Sequence, residues 1–402
     1  MQGRGHLQVL LPVVEGLSAR GRPVRVFTHA DFRSDVERAG GQFIDLFERY
    51  PLEAADETSI PFPSRLVSFA GVYAEKLIAE VAALAPAVVL YDTFSVVAPV
   101  VARHLGVPYV NVCPNHAPVP ARVLAALRED PRVSTSPECW AAIGRLRDRY
   151  GISNAGPFLY AEALSPFLNL YPEPAEFLET GDREAFAPVA FFGSLAPTLG
   201  REPAGEAFPR SRRKLRVYVA FGTVIWWYFA AVALDALRVI VTACADLDVD
   251  LVIGLGGYNL DVENRASLHG PNVRLIEYAD QWAALRDADM FITHHGLNST
   301  HEAIFHEVPM ISYPLFSDQP ALARRCQELG LAVPLVHSPR APVEPARLRS
   351  ALRRLSEERS AYAARLAEAR RWELRTIAGR GAILDQISAL NEATMAPHCS
   401  GR

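Results

Sequence analysis

Nine short runs of branched and aromatic residues, most of them followed by a stretch with helical spacing, recur along the 402-residue chain. Strand–helix alternation leaves few folds open. A strand followed by a crossover helix returns parallel, and a parallel sheet needs helices on both faces. In the first half, residues 23–29 (PVRVFTH), 87–92 (AVVLYD), 107–112 (VPYVNV) and 189–193 (VAFFG) read as strands, with helical spacing over 65–84 and 95–105. The second half restarts with strands at 215–221, 249–256, 273–278, 290–294 and 309–314, and 344–391 reads as nearly all helix. Between them, residues 195–214 (LAPTLGREPAGEAFPRSRRK) are rich in Pro, Gly and Arg and have no apolar period, the mark of a linker. The expected class is therefore α/β, with two Rossmann-like, doubly wound domains facing across a cleft. The expected bounds are 1–198 and 214–375, joined by 199–213, with 376–402 a helix and tail packing back on the first domain. Ligands of such sheets bind at the carboxyl ends of strands, so residues just after strands are the ones to inspect.

Composition narrows the functional class. Half the residues are hydrophobic, 21% are charged and the net charge is −4 with both signs interspersed, so no basic face for nucleic acid is expected. The cysteines Cys113, Cys139, Cys244, Cys326 and Cys399 are scattered, odd in number and form no CxxC, which fits a reducing cytoplasm. No signal peptide is visible, since the start is polar and the apolar stretch after it carries Gln8 and Pro12. Residues 217–234 (VYVAFGTVIWWYFAAVAL) lack any charge over eighteen residues, close to a membrane span. The neighbouring pattern makes them a buried strand, a Gly222-Thr223 turn and an apolar helix start instead, with Trp226, Trp227 and Tyr228 expected in the core.

The densest polar stretch is FITHHGLNSTHEAIFHEVP (291–309), with four histidines and two glutamates. A metal site is a poor reading. His301 and His306 are five apart and diverge by about 140° around a helix, whereas ligands four apart share a face. His294 and His295 are adjacent at a strand end and point to opposite faces. The stretch reads better as strand, glycine turn and helix start, with Asn298, Ser299 and Thr300 expected to cap the first turn. Such a start presents unpaired N–H groups and a positive dipole end to an anion, although on these residues alone an ordinary capped helix is an equal account. Two other features are decoys. IGLGGYN (253–259) lacks the third glycine of a dinucleotide loop, and Asp248 and Asp250 lie before their strand, at the wrong end for a metal-bridged phosphate.

Residues 278–319, YADQWAALRDADMFITHHGLNSTHEAIFHEVPMISYPLFSDQ, resemble the donor-binding signature of the family 1, GT-B-fold glycosyltransferases, which include bacterial natural-product enzymes of the antibiotic and macrolide type. The elements occur in order: aromatic-x-x-Gln, His-x-Gly-x-(Asn/Gly)-Ser-x-x-Glu, the end of Gly-Val-Pro, then Asp-Gln. The resemblance implies that Tyr278 stacks on the nucleotide base and that Gln281 lies near the base or ribose. It implies that His294, Gly296, Asn298 and Ser299 form the diphosphate seat and that Glu302 bonds the ribose hydroxyls. Asp318 and Gln319 would bond the sugar. A histidine donor would add a charge-assisted bond to phosphate. Phe221-Gly222-Thr223 resembles the family's first donor-domain loop, where a hydroxyl and backbone amides face the phosphates. Two positions depart from the pattern. His295 stands where bacterial members usually have Gly, and Glu307 stands at the Gly of Gly-Val-Pro.

The first half resembles the same family less closely. GRGHLQVLLPVVEGL matches its opening Gly-His-x-x-Pro-x-x-Pro helix, with Val9 in place of the first proline. The family's general base then maps to His6, and its partner carboxylate to Asp92. A sugar acceptor's hydroxyl is a poor nucleophile near neutrality, and a histidine oriented by a carboxylate can take its proton. The domain's central first strand is not legible ahead of His6. Either the recorded start lies downstream of the real one, the stronger expectation, or the domain lacks that strand.

The expectation is an inverting enzyme that needs no metal or other cofactor. It would pass a hexose or deoxyhexose from a UDP- or dTDP-sugar to a hydroxyl of an apolar aglycone, such as a polyketide or macrolide. The apolar, Pro-rich segments 60–73 and 114–127 are the thin support for that acceptor. A nucleotide-sugar 2-epimerase on the same fold and a non-catalytic donor-binding auxiliary subunit are the rival readings. The partners expected are the nucleotide sugar and a small acceptor, with no nucleic acid and no membrane span; the oligomeric state, a homodimer included, stays open.

Overall fold

The computed structural model describes residues 4–116, 119–195, 207–208 and 215–394. The chain divides into two compact units, one of residues 1–196 with 376–402 and one of residues 197–375. Most of the linker 199–213 and the tail beyond 394 lie outside the described residues. Every ladder between strands is parallel among the described residues.

In the first unit, the opening helix Arg4–Ser18 buries Leu7, Val9, Val13, Val14 and Leu17. Six strands follow: β1 (Arg25–Thr28), β2 (Gln42–Asp45), β3 (Val89–Asp92), β4 (Tyr109–Val112), β5 (Leu168–Tyr171) and β6 (Val189–Phe191). They form two sheets, β1-β2 and β3-β4-β5-β6. No strand precedes the opening helix among the described residues, and β1 and β3 do not pair, as the illegible central strand led one to expect. The expected strands at 23–29, 87–92, 107–112 and 189–193 are present; β2 and β5 were not foreseen. Asn169 disguises β5, because an amide in mid-strand reads as a turn. Here it is fully buried, and its amide group donates to the carbonyls of Ser165, Phe186 and Pro188 at 2.8, 3.1 and 3.3 Å.

The second unit contains β7 (Leu215–Ala220), β8 (Val249–Gly254), β9 (Val273–Ile276), β10 (Met290–Thr293), β11 (Met310–Ser312) and β12 (Ala332–Pro334). Their order is β12-β11-β10-β7-β8-β9, so the first strand is central and the chain winds outward on both sides of it. The order reverses between β7 and β10. A doubly wound sheet offers its binding crevice there, beyond the strand ends. The residues that leave those two ends are Phe221-Gly222-Thr223 and His294-His295-Gly296.

The charge-free run 217–234 resolves into β7, a turn and the helices Ile225–Tyr228 and Ala230–Cys244. No helix among the described residues is long and apolar enough to cross a membrane. Trp226 is core, stacked on Tyr258 with centroids 4.7 Å apart. Trp227 and Tyr228 are not: they are 69% and 58% exposed, which corrects the core expectation. A single-turn helix of four residues can turn only part of its girth inward.

The helix Arg359–Thr394 belongs to both units, passing from the second to the first at residue 376. In the first unit, Arg380 donates to the carbonyls of Phe192, Gly193 and Leu195 at 2.7, 3.1 and 2.8 Å, satisfying the chain that leaves β6. Leu384 packs onto Gly16 so closely that a Cβ there would sit 2.4 Å from its Cδ1.

Candidate active site

The first unit contributes a histidine–carboxylate pair. β3 delivers Asp92 at its carboxyl end, and the first turn of the opening helix delivers His6. His6 Nδ1 lies 2.6 Å from Asp92 Oδ2, and Asp92 Oδ1 accepts from the Phe94 amide at 2.8 Å. The Phe94 ring lies 5.1 Å from the imidazole. Burial alone would raise the Asp92 carboxyl. The positive charge and hydrogen bond of His6, with the Phe94 amide, outweigh burial and hold it below the usual carboxylate range. An ionised carboxylate on Nδ1 keeps the proton on that nitrogen and leaves the lone pair on Nε2, the arrangement a general base needs. Residues 86 apart in sequence thus meet as the resemblance implied.

A second pair of the same geometry was not foreseen. His116 Nδ1 lies 2.6 Å from Glu173 Oε2, and Glu173 is fully buried. The two follow β4 and β5, so a search for polar residues just after adjacent strands would have paired them, had β5 been legible.

In the second unit β10 ends at Thr293, and the helix Leu297–Phe305 begins behind an N-cap at Gly296. No side chain caps this helix. That corrects the expectation for Asn298, Ser299 and Thr300, which lie one to three residues inside it. The first bond of the helix runs from the Thr300 amide to the Gly296 carbonyl at 3.0 Å, so the amides of Leu297 to Ser299 precede the ladder and point out of its amino end. His294 lies against two glycines: a Cβ on Gly222 or Gly296 would come within 2.7 or 2.5 Å of its Nε2. Gly222 also has a left-handed φ of +76°. Both glycines are therefore required by the histidine, a relation the sequence could not show. The His294 ring is buried, and burial outweighs a bond to the Ala220 carbonyl and pushes its pKa down to about 4. The imidazole is neutral near pH 7, so any charge assistance in a phosphate bond comes from the phosphate, not from an imidazolium.

Gln281, Ser299 and Glu302 come together as the motif implied. Gln281 Nε2 donates to Glu302 Oε2 at 2.6 Å and lies 3.1 Å from Ser299 Oγ. Burial pushes the Glu302 carboxyl up to about 7 despite the Gln281 bond. Tyr278 stands after β9, 61% exposed, with its ring beside Gly257. The loop read as a dinucleotide decoy borders this region: a Cβ on Gly256 would meet the Gly222 carbonyl at 2.4 Å. Its glycine at 256 allows the two loops to touch. Gln319 is buried, and its side-chain oxygen accepts from the Leu315 and Phe316 amides at 2.9 and 3.2 Å. Only its NH2 group remains to meet a sugar hydroxyl, a narrower part than the resemblance suggested. Asp318, beside it, is half-buried.

The two departures from the family pattern fall on left-handed backbone: φ is +59° at His295 and +58° at Glu307. Glycine is usual there because only glycine takes that conformation without steric cost. Here Glu307 bonds Arg370 at 3.2 Å, and the His295 ring is held by two hydroxyls.

His301 and His306, the last two histidines of this stretch, are held by packing partners away from the turn. His301 bonds Glu373, both fully buried, and His306 packs edge-on against Trp282 at 4.3 Å. Asp250 is buried inside β8, as its second residue, which corrects the expectation that it precedes the strand; it still lies at the amino end, away from the crevice. Among the described residues no three His, Cys, Asp or Glu side chains gather as a metal-ligand set.

Comparison with known proteins agrees with this geometry. Residues 238–373 match the family described as erythromycin biosynthesis protein CIII-like, C-terminal domain. The NDP-glycosyltransferase YjiC of Bacillus licheniformis is 24% identical over 341 residues, 81% of each chain. The zeaxanthin glucosyltransferase of Pantoea ananas is 28% identical over 139 residues, a match spanning 35% of this chain and 31% of that relative. Among solved structures, the glycotransferase of kitacinnamycin superposes with a TM-score of 0.75 at 25% identity, over 96% of both chains. The spinosyn rhamnosyltransferase SpnG, solved with thymidine diphosphate, superposes with a TM-score of 0.61 at 19% identity, over 95% of this chain and 98% of that one. With the parallel sheets, the paired His6 and Asp92, and the assembled donor motif, these likenesses identify the chain as a glycosyltransferase of the GT-B fold, similar to the family 1 bacterial natural-product enzymes.

Proposed function

We propose that this enzyme transfers a hexose or deoxyhexose from a UDP- or dTDP-sugar to a hydroxyl of an apolar natural product, with inversion and without a metal. In this reading the first unit holds the acceptor and the second holds the donor. The observation that carries it is the 2.6 Å contact between His6 Nδ1 and a buried Asp92, which leaves Nε2 as a base. His6 takes the acceptor's proton as its oxygen attacks the anomeric carbon, and the bond from that carbon to the diphosphate breaks on the opposite face. The charge that develops on the diphosphate meets the amides at the start of the helix Leu297–Phe305, a neutral N–H of His294 and the hydroxyl of Thr223. Tyr278 stacks on the base and the ionised Glu302 accepts from the ribose. Asp318 and the Gln319 NH2 group bond the sugar. Support for dTDP is the nucleotide named with the SpnG structure. The auxiliary-subunit reading rested partly on the departures at His295 and Glu307, and local bonds account for both.

The test is a transfer assay in excess EDTA with UDP- and dTDP-hexoses and a panel of phenolic and macrolide acceptors. Mass spectrometry reads the product and NMR the new linkage. An α-linked donor should give a β-linked product at a rate unchanged by EDTA. Retention of configuration would remove the single-displacement mechanism. Activity restored only by magnesium or manganese would remove the metal-free phosphate seat.

A further inference from the structure

The turn between β10 and the helix Leu297–Phe305 carries a residue that the donor motif does not assign. His295 is fully buried, with a φ of +59°. A non-glycine residue held in this region costs of the order of 1 kcal/mol or more, and it persists only where the surroundings over-determine it. The surroundings are three hydroxyls. Its amide donates to Thr293 Oγ1 at 3.1 Å, its ring Nδ1 lies 3.2 Å from Thr300 Oγ1, and its Nε2 lies 2.8 Å from Ser312 Oγ. Thr293, Thr300 and Ser312 are all fully buried. Burial pushes the ring's pKa down to about 3, so it is neutral, with one N–H and one lone pair for the two side-chain hydroxyls. The three partners belong to different parts: the end of β10, the first turn of the helix and the end of β11.

We propose that His295 is a positioning residue for the diphosphate seat. Its ring is a strut that fixes the helix's first turn against the carboxyl end of β11, and so sets where the amides of Leu297 to Ser299 and the neighbouring His294 ring meet the phosphates. A glycine would relieve the backbone but leave two buried hydroxyls without their partner and the turn free to move. This inference rests on the reading of that turn as the phosphate seat.

The test separates the phosphate contribution from the rest of the ligand. Kd is measured for uridine and UDP, and for thymidine and dTDP, with melting temperature followed in parallel. In the native protein the diphosphate should tighten binding well beyond the nucleoside. In His295→Gly that ratio should fall about tenfold, as two lost bonds would give, while nucleoside affinity stays within about twofold. His295→Asn, which tolerates left-handed backbone and keeps a donor and an acceptor, should recover part of the ratio. Ser312→Ala should lower it in the same direction by less, and these two variants decide the matter if His295→Gly does not fold. A ratio unchanged across the variants overturns the strut. So does a loss that falls equally on nucleoside and diphosphate and follows the melting temperature, since that is what a purely structural role gives. A native protein that binds neither diphosphate would overturn the donor-site reading, and the strut with it.

Discussion

His6 and His294 each sit at the carboxyl end of a parallel sheet, yet their surroundings make them different reagents. His6 keeps 19% of its side chain exposed and holds an ionised carboxylate on Nδ1. His294 is buried, has the Ala220 carbonyl where His6 has a carboxylate, and is held neutral to about pH 4. Taking a proton makes an imidazolium, which Asp92 stabilises in one site and desolvation penalises in the other. The first has a carboxylate in place to receive the charge of a proton taken from a substrate. The second can only donate a fixed hydrogen bond, which is what a leaving phosphate requires. The comparison shows that a histidine's part is set by its carboxylate and its access to water, and that residue type alone says little.

The contrast can be broken by exchange of function. The largest effect should come from His6→Ala, which should lower the transfer rate by about 10²–10⁴ while donor Kd, measured calorimetrically, changes by no more than a few fold. Near-normal turnover would remove His6 as the base. His294→Ala should cost roughly 2–4 kcal/mol of transition-state stabilisation and, unlike His6→Ala, should weaken nucleotide binding too. If both variants spare donor binding, the two histidines are not distinguished as argued. Asp92→Asn should lose less than His6→Ala in the same steady-state assay, because it disturbs orientation and leaves the base in place. The smallest effect concerns pH. Glu302 has a folded pKa raised to about 7 from an unfolded value near 4.5, so the folded state binds the extra proton between those values. Stability should therefore fall as pH rises from about 4.5 through 7. Nucleotide-sugar affinity should rise over the upper part of that range, as the carboxylate forms to accept from the ribose. Glu302→Gln should flatten both curves in thermal melts and calorimetry. A native protein with no inflection near pH 7 would place Glu302 away from the ribose.

The two halves differ as sharply in legibility. The donor motif lies within residues 278–319, and strand, turn and helix carry their own local signals, so Gln281, Ser299 and Glu302 could be expected together before any contact was known. The acceptor-side pair spans 86 residues, and no local pattern links His6 to Asp92 without the family resemblance. What escaped was non-local in each case. Strand β5 hides behind Asn169, whose bonds come from residues up to 19 away. Helix capping was misjudged because Gly296, kept small by the His294 ring, took the place expected of a hydroxyl. The need for glycine at residue 222 and the left-handed turn at residue 295 are properties of three-dimensional packing, invisible to a pattern along the chain.

The clamp of Arg380 on the carbonyls after β6 has a consequence for the order in which the protein can be made. The groups it joins are 187 residues apart, and everything between Gly193 and Arg380 must leave the ribosome before the first unit can close. At common synthesis rates that interval is about 10–40 s. Throughout it, the nascent first unit lacks the cover that Leu384 gives Gly16 and the donor that Arg380 gives the strand end. Domains made first usually fold first, but here residues that complete the earlier unit are made only after the later one. A chaperone that binds exposed apolar surface should accordingly be found on nascent chains that have completed β6 and released by those that have emerged past residue 384.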